Sequence, residues 1–303
     1  MSNCTLIGNS AYNGGGGAYA GTLYKCTLTG GSAFYGGGAV YSTLNDCVLS
    51  GNSAYEGGGT YQSVLANCTL TGNSASYDGG GAYAPAPGAG SLNNCIVYYN
   101  TGGNYSGSTL DYCCTTPLPT NGVGNITNEP AFVGWANGNF HLQTNSPCIN
   151  AGNNAYVTAA DDLDGNPRIA GGTVDVGAYE FQSPVSLISY AWLQQYGLPV
   201  NANTDASDPD SDGMNNWQEW MADTSPIDAN DYLRITTFTR TGTYNTLWWT
   251  SKPTRLYQVE RCAVLDASSA WETIITNAAP GWNNVGFDNA GPQYFYRIRA
   301  VQP

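Results

Sequence analysis

Four close copies of one phrase, and a fifth that is degenerate, decide what this chain can fold into. Cys4, Cys26, Cys47 and Cys68 stand 22, 21 and 21 residues apart, and each opens the pattern Cys-x-Leu-x-Gly-x-Ser-Ala. A glycine run follows, then a small residue and an aromatic, as in Gly17-Ala18-Tyr19 and Gly81-Ala82-Tyr83. A leucine always precedes the next cysteine by three residues (Leu23, Leu44, Leu65, Leu92), and Cys95 opens the weakened copy that ends at Asn100. A repeat this short cannot bury a core alone, so neighbouring repeats must stack.

The alternation inside the repeat is that of a strand and not of a helix. Cys26 and Leu28 share one parity and point inward, while Thr27 and Thr29 share the other and point outward. One repeat is therefore one coil of a parallel β-solenoid. Asn9, Asn52, Asn73 and Asn100 recur five residues after the repeat cysteine, which predicts a stacked amide ladder broken by Gly31. The stretch Ala84–Leu92, with Pro85 and Pro87, is an insertion at a corner. Tyr19, Tyr41, Tyr61 and Tyr83 keep nearly constant phase, and core stacking is favoured for them over a glycan-binding row.

Gly37-Gly38-Ala39-Val40-Tyr41 and Leu49-Ser50-Gly51-Asn52 resemble the repeats of polymorphic outer-membrane proteins, although those usually have Phe where this chain has Leu. The resemblance covers the first third of the chain and implies a right-handed parallel β-helix. Residues 118–185 resemble the segment that closes many secreted bacterial β-helix proteins. It holds Asp162-Leu163-Asp164-Gly165-Asn166-Pro167-Arg168 and Val174-Asp175-Val176-Gly177-Ala178-Tyr179-Glu180, and it is expected to cap the last coil. Arg168 is expected to pair with Asp175 or Glu180.

Nine cysteines leave two readings open. Cys4, Cys26, Cys47, Cys68 and Cys95 fit a stacked inward column of free thiols better than in-register disulfides. Cys113 and Cys114 break the column, and one of them is a candidate partner for Cys148. The state of Cys262 is open.

The most specific motif lies outside the repeats. Asp208-Pro209-Asp210-Ser211-Asp212-Gly213-Met214-Asn215-Asn216-Trp217-Gln218-Glu219 fills every position of D-x-D-x-D-G-x5-E. Alternating carboxylates on a tight loop converge on one hard cation. Asp208, Asp210, Asp212, the Met214 carbonyl, Asn216 and Glu219 are therefore the expected Ca2+ ligands, with Glu219 closing the shell. The loop resembles those of dockerins and thrombospondin type 3 repeats. Asn215 stands where paired EF-hands carry an aliphatic residue, which points to a structural ion. Such an ion would stiffen the joint between solenoid and C-terminal domain.

The domain order expected is all-β in the main: coils at 1–117, a closing region at 118–185, a helix–calcium loop–helix linker at 186–230, and a small β-sandwich at 231–303. The sandwich resembles fibronectin type III through Tyr294–Val301. Its other strands are expected at Leu233–Arg240, Thr246–Thr250, Leu256–Arg261 and Trp271–Ile275, with Trp248, Trp249 and Trp271 as core.

Charge narrows function. Twenty-two acids against nine Lys and Arg give a net charge of −13, which repels nucleic acid and anionic lipid and suits divalent cations. No apolar run is long enough to span a membrane. Met1 leads straight into a repeat, so the chain is expected to be part of a longer secreted protein. Its uncovered first coil is then expected to self-associate. Lyases of this fold need a cationic base, yet Lys25 is the only Lys or Arg before Arg168. Asp46, Glu56, Asp78 and Asp111 do not share a repeat position, and His141 stands alone. The expected function is a non-catalytic, extracellular or cell-surface structural protein of adhesin type, meeting glycans or other surface proteins. The alternative is a carbohydrate-active protein whose active coils lie outside this chain.

Overall fold

The computed structural model describes residues 1–265, 270–278, 281–288 and 294–301. The chain divides into two compact units, Met1–Asn201 and Ala202–Pro303. The boundary runs through the segment that reads as a linker in the sequence.

The first unit is a parallel β-solenoid. Six strands pair in register in a flank sheet: Thr5–Ile7, Thr27–Thr29, Val48–Ser50, Thr69–Thr71, Ile96–Tyr98 and Cys114–Thr115. Five more form a leucine sheet (Thr22–Tyr24, Thr43–Asn45, Val64–Ala66, Ser91–Asn93, Thr109–Asp111). Another five, from Ala18–Tyr19 to Tyr105–Ser106, make a tyrosine sheet. A short fourth sheet joins Ser32–Tyr35, Ser53–Glu56 and Ser74–Asp78.

The core is the inward parity of these strands. Leu23, Leu44, Leu65, Leu92 and Leu110 stack on one wall and Leu28, Leu49 and Leu70 on another, all essentially buried. The cysteine column fills the corner between them. The backbone N–H groups of Cys26, Cys47 and Cys95 donate to the next coil's sulfur, Cys26 N to Cys47 Sγ at 3.3 Å. Each thiol donates to a carbonyl two residues back, as Cys68 Sγ does to the Ala66 oxygen at 3.2 Å. All nine cysteines are free, and burial holds the Cys68 and Cys95 thiols well above their ordinary range.

The amide ladder forms and reaches further than its repeat. The Gly31 N–H donates to Asn52 Oδ1 (2.8 Å), Asn52 Nδ2 to Asn73 Oδ1 (2.9 Å), and Asn73 Nδ2 to Asn100 Oδ1 (3.0 Å). Asn104 extends it to the Thr116 carbonyl. It stops at Gly31 because a Cβ there would meet the Gly37 oxygen at 2.4 Å. Asn73 also accepts the Asn52 N–H and donates to the Leu49 carbonyl. Asn73→Ala thus leaves several buried groups unpaired, at a cost of about 3 kcal/mol or more. The first unit is expected to melt on the order of 10 °C lower, read by circular dichroism.

The closing region does more than cap. Asn125 covers the last coil, accepting the Cys113 N–H and donating to the Leu110 carbonyl. The chain then doubles back along the flank. Thr69 and Thr71 point outward as expected, yet both are fully buried because this segment lies over them. Thr69 Oγ1 accepts the Ala178 N–H and Thr71 Oγ1 accepts from Trp135 Nε1. A second core results, built from Val48, Ile96, Phe132, Phe140, Ile149 and Tyr190, the last on helix α1 (Tyr190–Gln195).

One corner carries the register between solenoid and segment. Lys25, Asp46, Asn67 and Asn94 occupy the same left-handed position in successive coils, with φ of 50°, 53°, 52° and 51°. Lys25 pairs with Asp161. Asp46 meets Arg168, Asn67 donates to the Tyr156 carbonyl, and Asn94 exchanges two bonds with Asn153.

The second unit packs two three-stranded antiparallel sheets. One orders Ile235–Thr241, Tyr244–Trp249, Asn284–Asp288; the other Glu272–Ala278, Leu256–Cys262, Phe295–Val301. The strand Asn284–Asp288 has no counterpart in the sequence expectation. Trp249 is core, but Trp248 and Trp271 are half-exposed, and the Arg297 guanidinium lies 4.1 Å from the Trp271 ring centre. No helix among the described residues is long and apolar enough to cross a membrane.

Candidate metal centre

Helix α2 (Asn216–Ala222) sets the geometry of the acidic loop. Asn215 caps it: its side chain accepts the Gln218 N–H, and the Gln218 side chain accepts the Asn215 N–H. This explains a polar residue at the eighth loop position. The loop base is closed by the Asn216 N–H on the Ser207 carbonyl (2.8 Å) and Asn216 Nδ2 on the Thr204 carbonyl (2.8 Å). Asp208 folds the loop inward by accepting the Ser211 and Gly213 N–H groups, and Gly213 turns at φ +97° into open space.

Asp208, Asp210 and Asp212 converge, with one oxygen of each within 4.8 Å of the others. They are the one such acidic, histidine or cysteine group among the described residues. Glu219 projects from α2 and is fully buried. Both its oxygens, with Asp210 Oδ2, Asp212 Oδ2 and Asn216 Oδ1, are buried and accept no hydrogen bond. Burial, then Asp210, Asp212 and Asp208, push Glu219 up to about 8, and burial and Asp212 raise Asp210. Buried anionic oxygens left unpaired are costly unless a cation meets them.

The donor set therefore fits a hard divalent cation: carboxylates, one amide oxygen, and Met214 at the position whose carbonyl the twelve-residue pattern uses. Met214 also ties the loop to its own unit. Its sulfur accepts the Leu233 N–H at 3.3 Å, and its side chain packs against the core of Leu247, Tyr257 and Val259. Arg255 donates to the Trp220 and Met221 carbonyls at the end of α2. All six expected ligands lie in the second unit.

The solenoid's acids fall out differently from expectation in one respect. Asp46 is buried against Arg168, whose Nε lies 3.6 Å from it. Arg168 does not pair with the Asp175 or Glu180 carboxylates. It donates instead to the Asp175 and Gly177 carbonyls, while Asp175 and Glu180 accept backbone N–H groups. Glu56 and Asp78, however, do share a rung, because an irregularity after Ala75 absorbs the extra residue between them. Burial and then Asp78 raise Glu56, while both Asp78 oxygens are taken by the Gly79 N–H and the Ser106 hydroxyl. His141 is held at both ring nitrogens, by Asn139 and Asp164.

Around this rung the aromatics are on the surface and not in the core. Tyr19 and Tyr41 are 63% and 51% exposed, and Tyr77 is 62% exposed. Tyr19, Tyr41, Tyr61 and Tyr83 form one row at 5.5–6.0 Å spacing, and Phe34, Tyr55 and Tyr77 a second. Tyr35 bridges the rows. The signal was present: Tyr19 follows the inward Ala18 and must face out.

No protein-family model matches the chain, and no curated protein matches it.

Proposed function

We propose that this chain is a non-catalytic structural or adhesin-type β-solenoid that works outside the cell with a calcium ion built into its second unit. The observation that carries this reading is the set of unpaired buried oxygens of Asp210, Asp212, Asn216 and Glu219. The order of the six C-terminal strands supports a fibronectin type III-like sandwich beside it. Titration calorimetry tests the site. One calcium per chain is expected, and none for the double variant Asp212→Ala, Glu219→Ala. Absence of uptake, or uptake unchanged in the double variant, refutes the site.

The aromatic corner is the face proposed to meet a partner. Exposed aromatic surface of this extent marks an interaction site. Lys25 and Arg168, the only Lys and Arg of residues 1–201, are both paired on another corner. The face thus offers tyrosine rings, hydroxyls and carboxylates without positive charge, which suits a neutral glycan chain and repels polyanions. Tyr41→Ala with Tyr77→Ala is expected to weaken binding to neutral polysaccharide about tenfold or more. No new reducing ends are expected. Cleavage abolished by Glu56→Gln or Asp78→Asn would overturn the non-catalytic reading and favour the carbohydrate-active alternative.

A further inference from the structure

Adjacent residues of a strand face opposite ways, and the pair Cys113-Cys114 turns that rule into a choice. Cys113 points into the solenoid, closes the thiol column, and accepts the Cys95 N–H at 3.4 Å. Cys114 points out of the solenoid, into the second core beneath the folded-back segment. Cys148 enters that same core from the segment itself, and both are fully buried. Both are free thiols in this structure: Cys114 Sγ donates to the Asn128 carbonyl at 3.1 Å, and after burial Cys148 is the next cause raising the Cys114 thiol.

The column thiols are satisfied as they stand: each donates to a carbonyl two residues back, and Cys47, Cys68 and Cys113 also accept an N–H from the preceding coil. Cys262 lies in the other unit. Cys114 and Cys148 alone come from different segments that meet only when the closing region docks.

We propose that Cys114 and Cys148 form a disulfide that locks the closing segment onto the last coil. The oxidant is a low-molecular-weight disulfide such as oxidised glutathione. One protein thiolate attacks it, releasing one small thiol and leaving a mixed disulfide. The second protein thiolate then displaces the other small thiol as the Cys114–Cys148 bond forms. Two protons and two electrons leave the protein, and one disulfide becomes two thiols. Because both sulfurs are buried in the docked state, the first step occurs while the segment is open and the second as it closes. Cys113 is excluded by its direction, not by its distance along the chain.

The test is refolding of the full chain from denaturant in a glutathione redox buffer, then alkylation, digestion without reduction, and mass spectrometry. Expected is a single linked peptide pair holding Cys114 and Cys148, two hydrogens lighter, with Cys26, Cys47, Cys68, Cys95 and Cys113 all alkylated. Reduction should lower the melting temperature of the first unit by several degrees, and Cys148→Ala should abolish that difference. Natively folded, never-denatured protein provides the second measurement: it should oxidise far more slowly than the refolding chain. Alkylation of both Cys114 and Cys148 in the oxidised sample, or a link through Cys113, overturns the proposal.

Discussion

Chelation of calcium is expected to lower the melting temperature of the second unit by about 15 °C or more while the first unit melts unchanged. The magnitude follows from mass action: an ion at a thousandfold excess over its dissociation constant contributes about 4 kcal/mol. In a domain of this size each kcal/mol moves the midpoint by about 4–8 °C. Without the ion Asp208, Asp210 and Asp212 crowd together, and burial first, then these three carboxylates, push Glu219 up to about 8. Glu219→Gln should therefore have opposite effects in the two states. It removes the cost of keeping a buried carboxyl protonated when the unfolded chain would ionise it and so raises the calcium-free midpoint at neutral pH, and it abolishes most of the response to calcium. Scanning calorimetry with and without chelator reads both. A second unit indifferent to calcium, or a first unit that shifts instead, sinks the assignment.

The second large effect is on pH. Burial is the first cause raising Asp46 to about 6, Asp175 to about 7 and Glu180 to about 8, with Arg168 opposing each. These values lie above the unfolded range near 4, so between about pH 4 and pH 8 the folded state binds more protons than the unfolded one. Stability from these groups is present in full at the acid end and is lost as pH rises through 6 to 8. With calcium saturating, the first unit is expected to be most stable near pH 5. It should lose on the order of a few kcal/mol by pH 9. Midpoints from thermal melts at half-unit steps check this, and a midpoint that climbs from pH 5 to pH 9 contradicts it.

The solenoid was legible because a coil is a local object. Cys26, Leu28 and Thr27 declare inside and outside within three residues, and the parallel pairing then follows from repetition. The loop at Asp208–Glu219 was legible for a similar reason, since all its proposed ligands sit on one short stretch. What the sequence hid was long-range. Nothing near Thr69 announces that Ala178 will cover it, and nothing near Asp46 announces Arg168. The shared rung of Glu56 and Asp78 was masked by a one-residue offset from the cysteine spacing, which only the strand irregularity resolves. The strand Asn284–Asp288 was missed because Gly286 interrupts its alternation.

The contacts at Lys25, Asp46, Asn67 and Asn94 limit how such a protein can evolve. Solenoids commonly grow and shrink by copying or dropping whole coils, since each coil resembles the next. Here the closing segment touches four successive coils at one corner, and the contacts call in order for a lysine, an aspartate and two asparagines. Dropping a coil between Lys25 and Cys114 would set Arg168 against an asparagine or Asp161 against an aspartate. Length can therefore change without conflict only on the Met1 side of Lys25, so the four coils beneath the segment are a fixed count and those before it a free one.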